Sequence, residues 1–234
     1  MKRFFALIAV ASLAFFSACS DGVNANPNAM DDSCNEGSIL KDSRDGQTYR
    51  TVVIGSQIWM AKNLNYRTEN SYCYEDDESM CSKYGRYYTW AAAMDSVGMW
   101  STNGKGCGYN NLCSPTYPVR GICPEGWHLP MQTEWNTLLA AVGGSSTAGK
   151  MLKSTSGWNN SGNGVDAYSF SVLPAGYRGY HGNYYYEGGD ALFWSSTEYD
   201  GGYAYGRYLN YDSDYAYQKF YDKDYGFSVR CVKD

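Results

Sequence analysis

Eight cysteines constrain this chain more than any other residue type. Cys19 stands apart, at the end of an apolar run. The other seven are Cys34, Cys73, Cys81, Cys107, Cys113, Cys123 and Cys231. Seven is odd, so at least one is unpaired or joins another chain. The close pairs Cys73/Cys81 and Cys107/Cys113 lack zinc-knuckle spacing, and only His128 and His181 are there to supplement them, which argues against a structural zinc. Disulfides made in an oxidising compartment are the economical account. Cys73–Cys81 and Cys107–Cys113 are short-loop pairs in polar, turn-rich segments and are expected to bridge. Six paired cysteines allow fifteen connectivities, so sequence spacing alone leaves the full pairing open.

The N-terminus says how the chain reaches such a compartment. Lys2 and Arg3 precede residues 4–16, an apolar run. A bilayer needs about twenty such residues, and a signal-peptide core about half that. Phe16-Ser17-Ala18-Cys19 then reads as a bacterial lipobox, with Phe16 where Leu is usual. The expected organisation is a signal peptide over residues 1–18, a lipidated tether over 19–36 and one domain over 37–234. The alternative is an ordinary signal peptide cut near Ala18. Residues 20–33 hold no aromatic residue and one valine, too little to bury for folding. The lipid on Cys19 would hold the chain to a bilayer at the bacterial cell envelope, at the outer membrane or cell surface. Loss of Lys2 and Arg3 moves the formal charge from −5 to −7, which excludes nucleic acid as a partner.

Tyrosine supplies 24 residues against eight Phe and seven Trp, and there are 26 glycines. Tyrosine carries ring area yet tolerates water, so it suits half-exposed strands and binding faces. The segments agree. Residues 48–54 are β-branched and alternating, Gly55-Ser56 is a turn, and residues 57–60 return, which predicts a hairpin. Residues 71–85 and 98–120 read as loops. Residues 87–94 predict a short helix. Trp135, Leu138, Leu139 and Val142 form one apolar stripe between Pro130 and Gly143, which predicts a helix over 131–142; a helical turn over 148–153 follows. Beyond Tyr168 the pattern is strands: Phe170, Val172 and Pro174 alternate, Tyr203 to Tyr211 and Tyr215 to Lys219 flank a turn at Asp212-Ser213-Asp214, and residues 225–232 close the chain with Phe227, Val229 and Cys231 on one face.

The segment GICPEGWHLPMQTEWNTLLAAVGG, residues 121–144, resembles the signature of the formylglycine-generating-enzyme fold, which is related to C-type-lectin-like domains. The residues that carry it are Gly126, Trp127, Leu129, Pro130, Glu134 and Trp135. More closely, DGQTYRTVVIGSQIWMAKNLNY, YGRYYTWAAAM, SPTYPVRGICPEGWHLP, FSVLPAGYRG, FWSSTEY and YGFSVRCVKD together resemble the Fibrobacter succinogenes major paralogous domain, a domain of bacterial lipoproteins and surface proteins. The resemblance runs from about residue 38 to the end. It implies an α+β fold of twisted antiparallel strands with short helices and long disulfide-stapled loops. It also implies a bridge from the closing strand to the chain before the central helix, Cys123–Cys231, which leaves Cys34 unpaired.

The enzyme chemistry of that fold does not carry over. The oxidases use two reactive cysteines near the C-terminal end, where this chain has Cys231 alone, and the related iron enzymes need more histidines than His128 and His181. No catalytic residue is assigned. An alternative, a carboxylate-dependent glycoside hydrolase, would draw on Glu187, Asp190, Glu198 and Asp200. No cofactor is expected. Calcium is the alternative there, through the oxygen-rich turns at 76–78, 212–214 and 222–224 or through Trp158-Asn159-Asn160; none matches an EF-hand loop.

What remains is binding. Residues 184–221 carry eleven tyrosines and Trp194, interleaved with Asp, Asn, Ser and Gly. That mixture offers flat aromatic area and adaptable hydrogen bonds. The expected ligand face is Trp194, Tyr203, Tyr205, Arg207, Tyr215 and Tyr217, with Tyr208 on the opposite side of its strand. Expected partners are a polysaccharide or a surface protein; the alternative is a structural envelope protein without a ligand.

Overall fold

A computed structural model describes residues 36–234. The signal segment 1–18, Cys19, Cys34 and nearly all of the tether lie outside them. Strand β1 (Glu36–Lys41) pairs with β2 (Thr48–Ile54), and Gly55-Ser56 turns β2 into β3 (Gln57–Met60). β2 buries residues on both faces, Tyr49 and Thr51 on one and Val52 and Ile54 on the other, since alternate side chains point to opposite sides of a strand and here each side meets a core cluster.

Residues 71–94 differ from the expectation of a loop and then one helix. β4 (Ser71–Tyr72) leads to α1 (Glu78–Tyr84). Asp77 starts that helix by accepting the Ser79 N–H at 2.8 Å, a local cap inside what reads as an acidic loop. β5 (Tyr87–Tyr88) pairs with β4, and Thr89 then caps α2 (Trp90–Ala93). Tyr87 and Tyr88 are strand residues because partners stand on both sides of them.

β6 (Trp127–His128) precedes α3 (Gln132–Ala141) and α4 (Ser145–Leu152). The predicted stripe Trp135, Leu138, Leu139 and Val142 is buried. No strand forms over 168–174: Ser169 and Ser171 take left-handed φ of 54°, and Phe170 and Val172 are buried individually. β7 (Tyr177–Arg178) and β8 (Tyr184–Tyr185) form a small hairpin. β9 (Asp190–Glu198), β10 (Tyr203–Asn210) and β11 (Ala216–Asp222) follow as an antiparallel set. The closing segment is two strands, β12 (Phe227–Ser228) and β13 (Val232–Lys233), where one was expected. Between them the chain crosses from one sheet to the other.

The five-stranded sheet runs β1-β2-β3-β13-β6 and the six-stranded sheet β11-β10-β9-β12-β5-β4. Every named pairing is antiparallel except β12 with β9. One core cluster gathers Trp90, Trp194 and Phe227, the other Trp59, Trp135, Phe170 and Phe193. Trp59 and Trp135 rings lie 4.7 Å apart. Burying a side chain of this kind is worth roughly 1.5–3 kcal/mol. Three disulfides join Cys73–Cys81, Cys107–Cys113 and Cys123–Cys231. Among the described residues no helix is long and apolar enough to cross a membrane.

Candidate functional site

The outer hairpin β10–β11 is where the expected ligand residues fall, and its register decides what they share. Tyr205 stands opposite Phe220, Arg207 opposite Gln218, Tyr208 opposite Tyr217 and Leu209 opposite Ala216. Directly paired residues lie on one face. Tyr203, Tyr205 and Arg207 are therefore on one side of the ribbon and Tyr217 on the other, with Tyr208. The expected set is split. Trp194 leaves it altogether: it is fully buried, its Nε1 donating to Tyr88 O at 2.8 Å. It lies on the central strand β9, which is covered on both faces.

The side that carries Tyr208 is a tyrosine face. The Tyr215 and Tyr217 rings lie 4.7 Å apart, and Tyr217 and Tyr208 rings 5.7 Å. Lys219 Nζ sits 4.6 Å from the Tyr208 ring centre. Tyr221 leans edge-on against Phe227 at 4.9 Å. Gly206 makes room for it, since a Cβ there would meet Phe193 O at 2.9 Å and the Tyr221 ring at 3.4 Å. Tyr177 also abuts Phe227 and stacks on Tyr225 at 5.9 Å, which in turn stacks on Tyr180 at 5.8 Å.

A polar knot is set among these rings. Asp190 Oδ1 accepts from Asn210 Nδ2 at 2.7 Å and from Tyr208 Oη at 3.2 Å, and Asn210 also donates to Tyr208 Oη at 2.7 Å. Burial raises the Asp190 carboxyl above the ordinary carboxylate range, against its two hydrogen bonds and Lys219. Burial likewise pushes the Tyr208 phenol up to about 12. The Tyr208 phenol is therefore neutral at physiological pH, able to donate and accept.

The other side of the ribbon has two parts. Toward the Tyr203 end it shows an exposed patch in which Tyr199 stacks on Phe220 at 4.2 Å, with Tyr203 and Tyr205 edge-on. Toward the Leu209 end it lies beneath α3 and α4, and a cavity of about 450 Å³ opens between those helices and β11. Arg207 lines it, buried to 2% exposure.

The remaining candidates have structural partners. Glu198 pairs with the buried Lys223, Glu187 accepts from Tyr84 Oη and Lys83, and Asp200 Oδ1 caps its own turn at 2.8 Å. His128 is held between Glu134 and Asp234, 2.7 Å from each. His181 lies against the Tyr180 ring. At the 212–214 turn the Lys153 ammonium donates to the carbonyls of Asn210 and Ser213 at 3.1 and 3.0 Å, where a cation would otherwise find oxygens. Cys73, Glu78 and Cys81 cluster within 4.8 Å, but both sulfurs are joined in a disulfide.

Sequence reasoning missed Tyr177, Tyr180 and Tyr225 on the tyrosine face, and Asn136, Ser145 and Gln218 around the cavity. Gln218 was missed by one residue: counting back from a three-residue turn at 212–214 sets Lys219 opposite Arg207, where the register has Gln218. The others arrive from segments far apart in the chain and leave no local signal.

No curated protein and no solved structure matches the chain. The model of the Fibrobacter succinogenes major domain matches residues 52–233, a span that takes in β3 through β13 and with them both sides of the outer hairpin. The chain belongs to the Fibrobacter succinogenes major domain family.

Proposed function

We propose that this protein is a non-catalytic binding module of the bacterial cell surface, anchored by a lipid on Cys19, and that its tyrosine face takes a polysaccharide. The Asp190–Tyr208–Asn210 knot among open rings carries the reading. Sugar rings offer apolar faces and rows of hydroxyls. Tyrosine faces match the first, and a carboxylate with one oxygen unengaged, an amide and phenols match the second. The motifs around Trp127, Pro130, Glu134 and Trp135 support a formylglycine-enzyme-like or C-type-lectin-like arrangement, on which such a face needs no cofactor.

The test is retention of the full chain, kept in detergent, on gels containing plant cell-wall polysaccharides. The wild type should be retarded by at least one of them. Tyr208→Ala with Tyr217→Ala should lose that retardation tenfold or more, about 1.4 kcal/mol, with the thermal midpoint little changed. Binding that survives the double variant would overturn the site. Release of reducing ends from the retarding polymer would overturn the non-catalytic reading in favour of a hydrolase.

A further inference from the structure

Arg207 is a buried cation without a counter-ion. No carboxylate pairs with it among the described residues. Its Nη2 donates to three neutral amide oxygens, Gln132 Oε1 at 2.7 Å, Gln218 Oε1 at 3.2 Å and Asn136 Oδ1. Its Nε is sealed from solvent and has no acceptor, and no acceptor reaches Nη1. A guanidinium has five N–H groups, so three of them lack partners here. The Gln132 amide nitrogen beside it is also buried and unpartnered. Because Arg207 engages the oxygen ends of all three amides, what those amides have left is their N–H ends.

The cavity that Arg207 lines continues this bias. Asn136, Ser145 and Gln218 supply its other polar walls, Tyr215, Ala216 and Tyr217 border it along the edge of β11, and none of these is a carboxylate. Ser145 is the first residue of α4, whose preceding Gly144 has no side chain to cap it and whose first turn holds no acid. The Ser145 and Ser146 backbone N–H groups at that start have no backbone acceptor, and such groups bear partial positive charge. A buried, unneutralised guanidinium, an uncapped helix start and a wall of donors together ask for an anion. Burial lowers the Arg207 pKa only to about 10, so the charge persists at neutral pH.

We propose that this cavity is a subsite for the carboxylate of a uronic-acid unit, with Arg207 as the binding cation and Ser145, Asn136 and Gln218 as supporting donors. Its volume suits a single sugar unit. Tyr215 and Tyr217 belong both to its rim and to the tyrosine face, so a chain lying along that face reaches it. The identity of the polymer thus rests on the proposed polysaccharide reading, whereas the anion site itself does not.

Binding of free glucuronate, glucose and sulfate to the full chain is measured by calorimetry, together with gel retardation by a polyuronide and by a neutral glucan. Glucuronate should bind and glucose should not. Arg207→Met should weaken glucuronate at least tenfold. Should that variant fail to fold, Gln218→Glu gives the answer: it seats an internal carboxylate opposite Arg207, and should abolish glucuronate binding while the thermal midpoint holds or rises. Unchanged binding in either folded variant would overturn the subsite. Sulfate matching glucuronate would overturn the carboxylate assignment. Retardation by the neutral glucan without glucuronate binding sinks this inference and leaves the tyrosine face standing; glucuronate binding without retardation by either polymer does the reverse.

Discussion

Arg230, in the closing segment, and Arg207, in the outer hairpin, are both sealed guanidiniums, at 1% and 2% exposure. Their surroundings differ. Arg230 Nε donates to Asn63 Oδ1 at 2.8 Å, Nη2 to Ser171 O at 2.8 Å, and Nη1 to Phe170 O. Its plane lies over the Phe170 ring at 4.4 Å. Every nitrogen has an acceptor, two of them fixed backbone carbonyls, and the left-handed turns at Ser169 and Ser171 aim those carbonyls inward. Burial brings its pKa down to about 9. Arg207 has three acceptors crowded on one nitrogen, all on side chains, two from α3 and one from the edge strand β11. A buried charge with an acceptor on every nitrogen is holding its own fold together. One whose donors are left over beside a cavity is kept for something that comes from outside.

The largest expected effect that sharpens this comparison lies beside Arg230. Replacing Cys123 and Cys231 with Ala opens a loop of 108 residues and should cost about 4–5 kcal/mol on the chain-entropy model. Cys107 and Cys113, near the hairpin and six residues apart, should cost about 2–3 kcal/mol. Urea denaturation of the two double variants reads both; equal losses would erase the distinction between a closing region that holds the fold and a hairpin side that does not.

Next come the arginines themselves. Arg230→Met strips donors from Asn63 Oδ1 and two carbonyls and should destabilise by about 3–5 kcal/mol. Arg207→Met should change stability by no more than about 1 kcal/mol, because replacing an ill-matched buried charge with an apolar side chain is often neutral. Chemical denaturation of both proteins decides it. A loss at Arg207 as large as that at Arg230 would make Arg207 structural.

The smallest effect is one of pH. The Glu134 and Asp234 carboxylates beside His128 outweigh its burial and raise its pKa above the ordinary 6.5. A folded-state pKa above the unfolded one means the contribution is complete below about 6.5 and is lost as pH rises through the folded value. Wild type should therefore lose more stability between pH 6 and pH 9 than His128→Asn does, as followed by urea midpoints. An identical pH slope in the two proteins would remove His128 from the closing region's charge network.

Features that depend on one local segment were legible in the sequence. The β2–β3 hairpin announces itself by alternation and its turn, α3 by a four-residue stripe between Pro130 and Gly143, and the inward set Phe227, Val229 and Cys231 by period two. What was not legible depends on parity. A three-residue turn at 212–214 keeps Arg207 on the side of Tyr217. The observed pairing, Arg207 with Gln218, is one residue away, and a slip of one transfers every side chain of β11 to the opposite face. Trp194 was misplaced for another reason. It ends the unbroken run Ala191-Leu192-Phe193-Trp194, which marks a strand covered on both sides. Phe170 to Pro174 alternates as a strand does, yet its carbonyls are claimed by Arg230, a residue sixty positions away.

The position of β13 sets the order of assembly. It lies between β3 and β6, and β12, five residues before it, lies between β9 and β5. The last strands of the chain are interior strands of both sheets. Neither sheet is continuous until residues 227–233 have been made and threaded into place, and the contacts they bring are among the most distant in sequence. Folding of this kind is slow and concerted. A chain stopped at residue 225 would not be a smaller version of the domain. It would be four stretches of unpaired edge, open to any neighbouring strand.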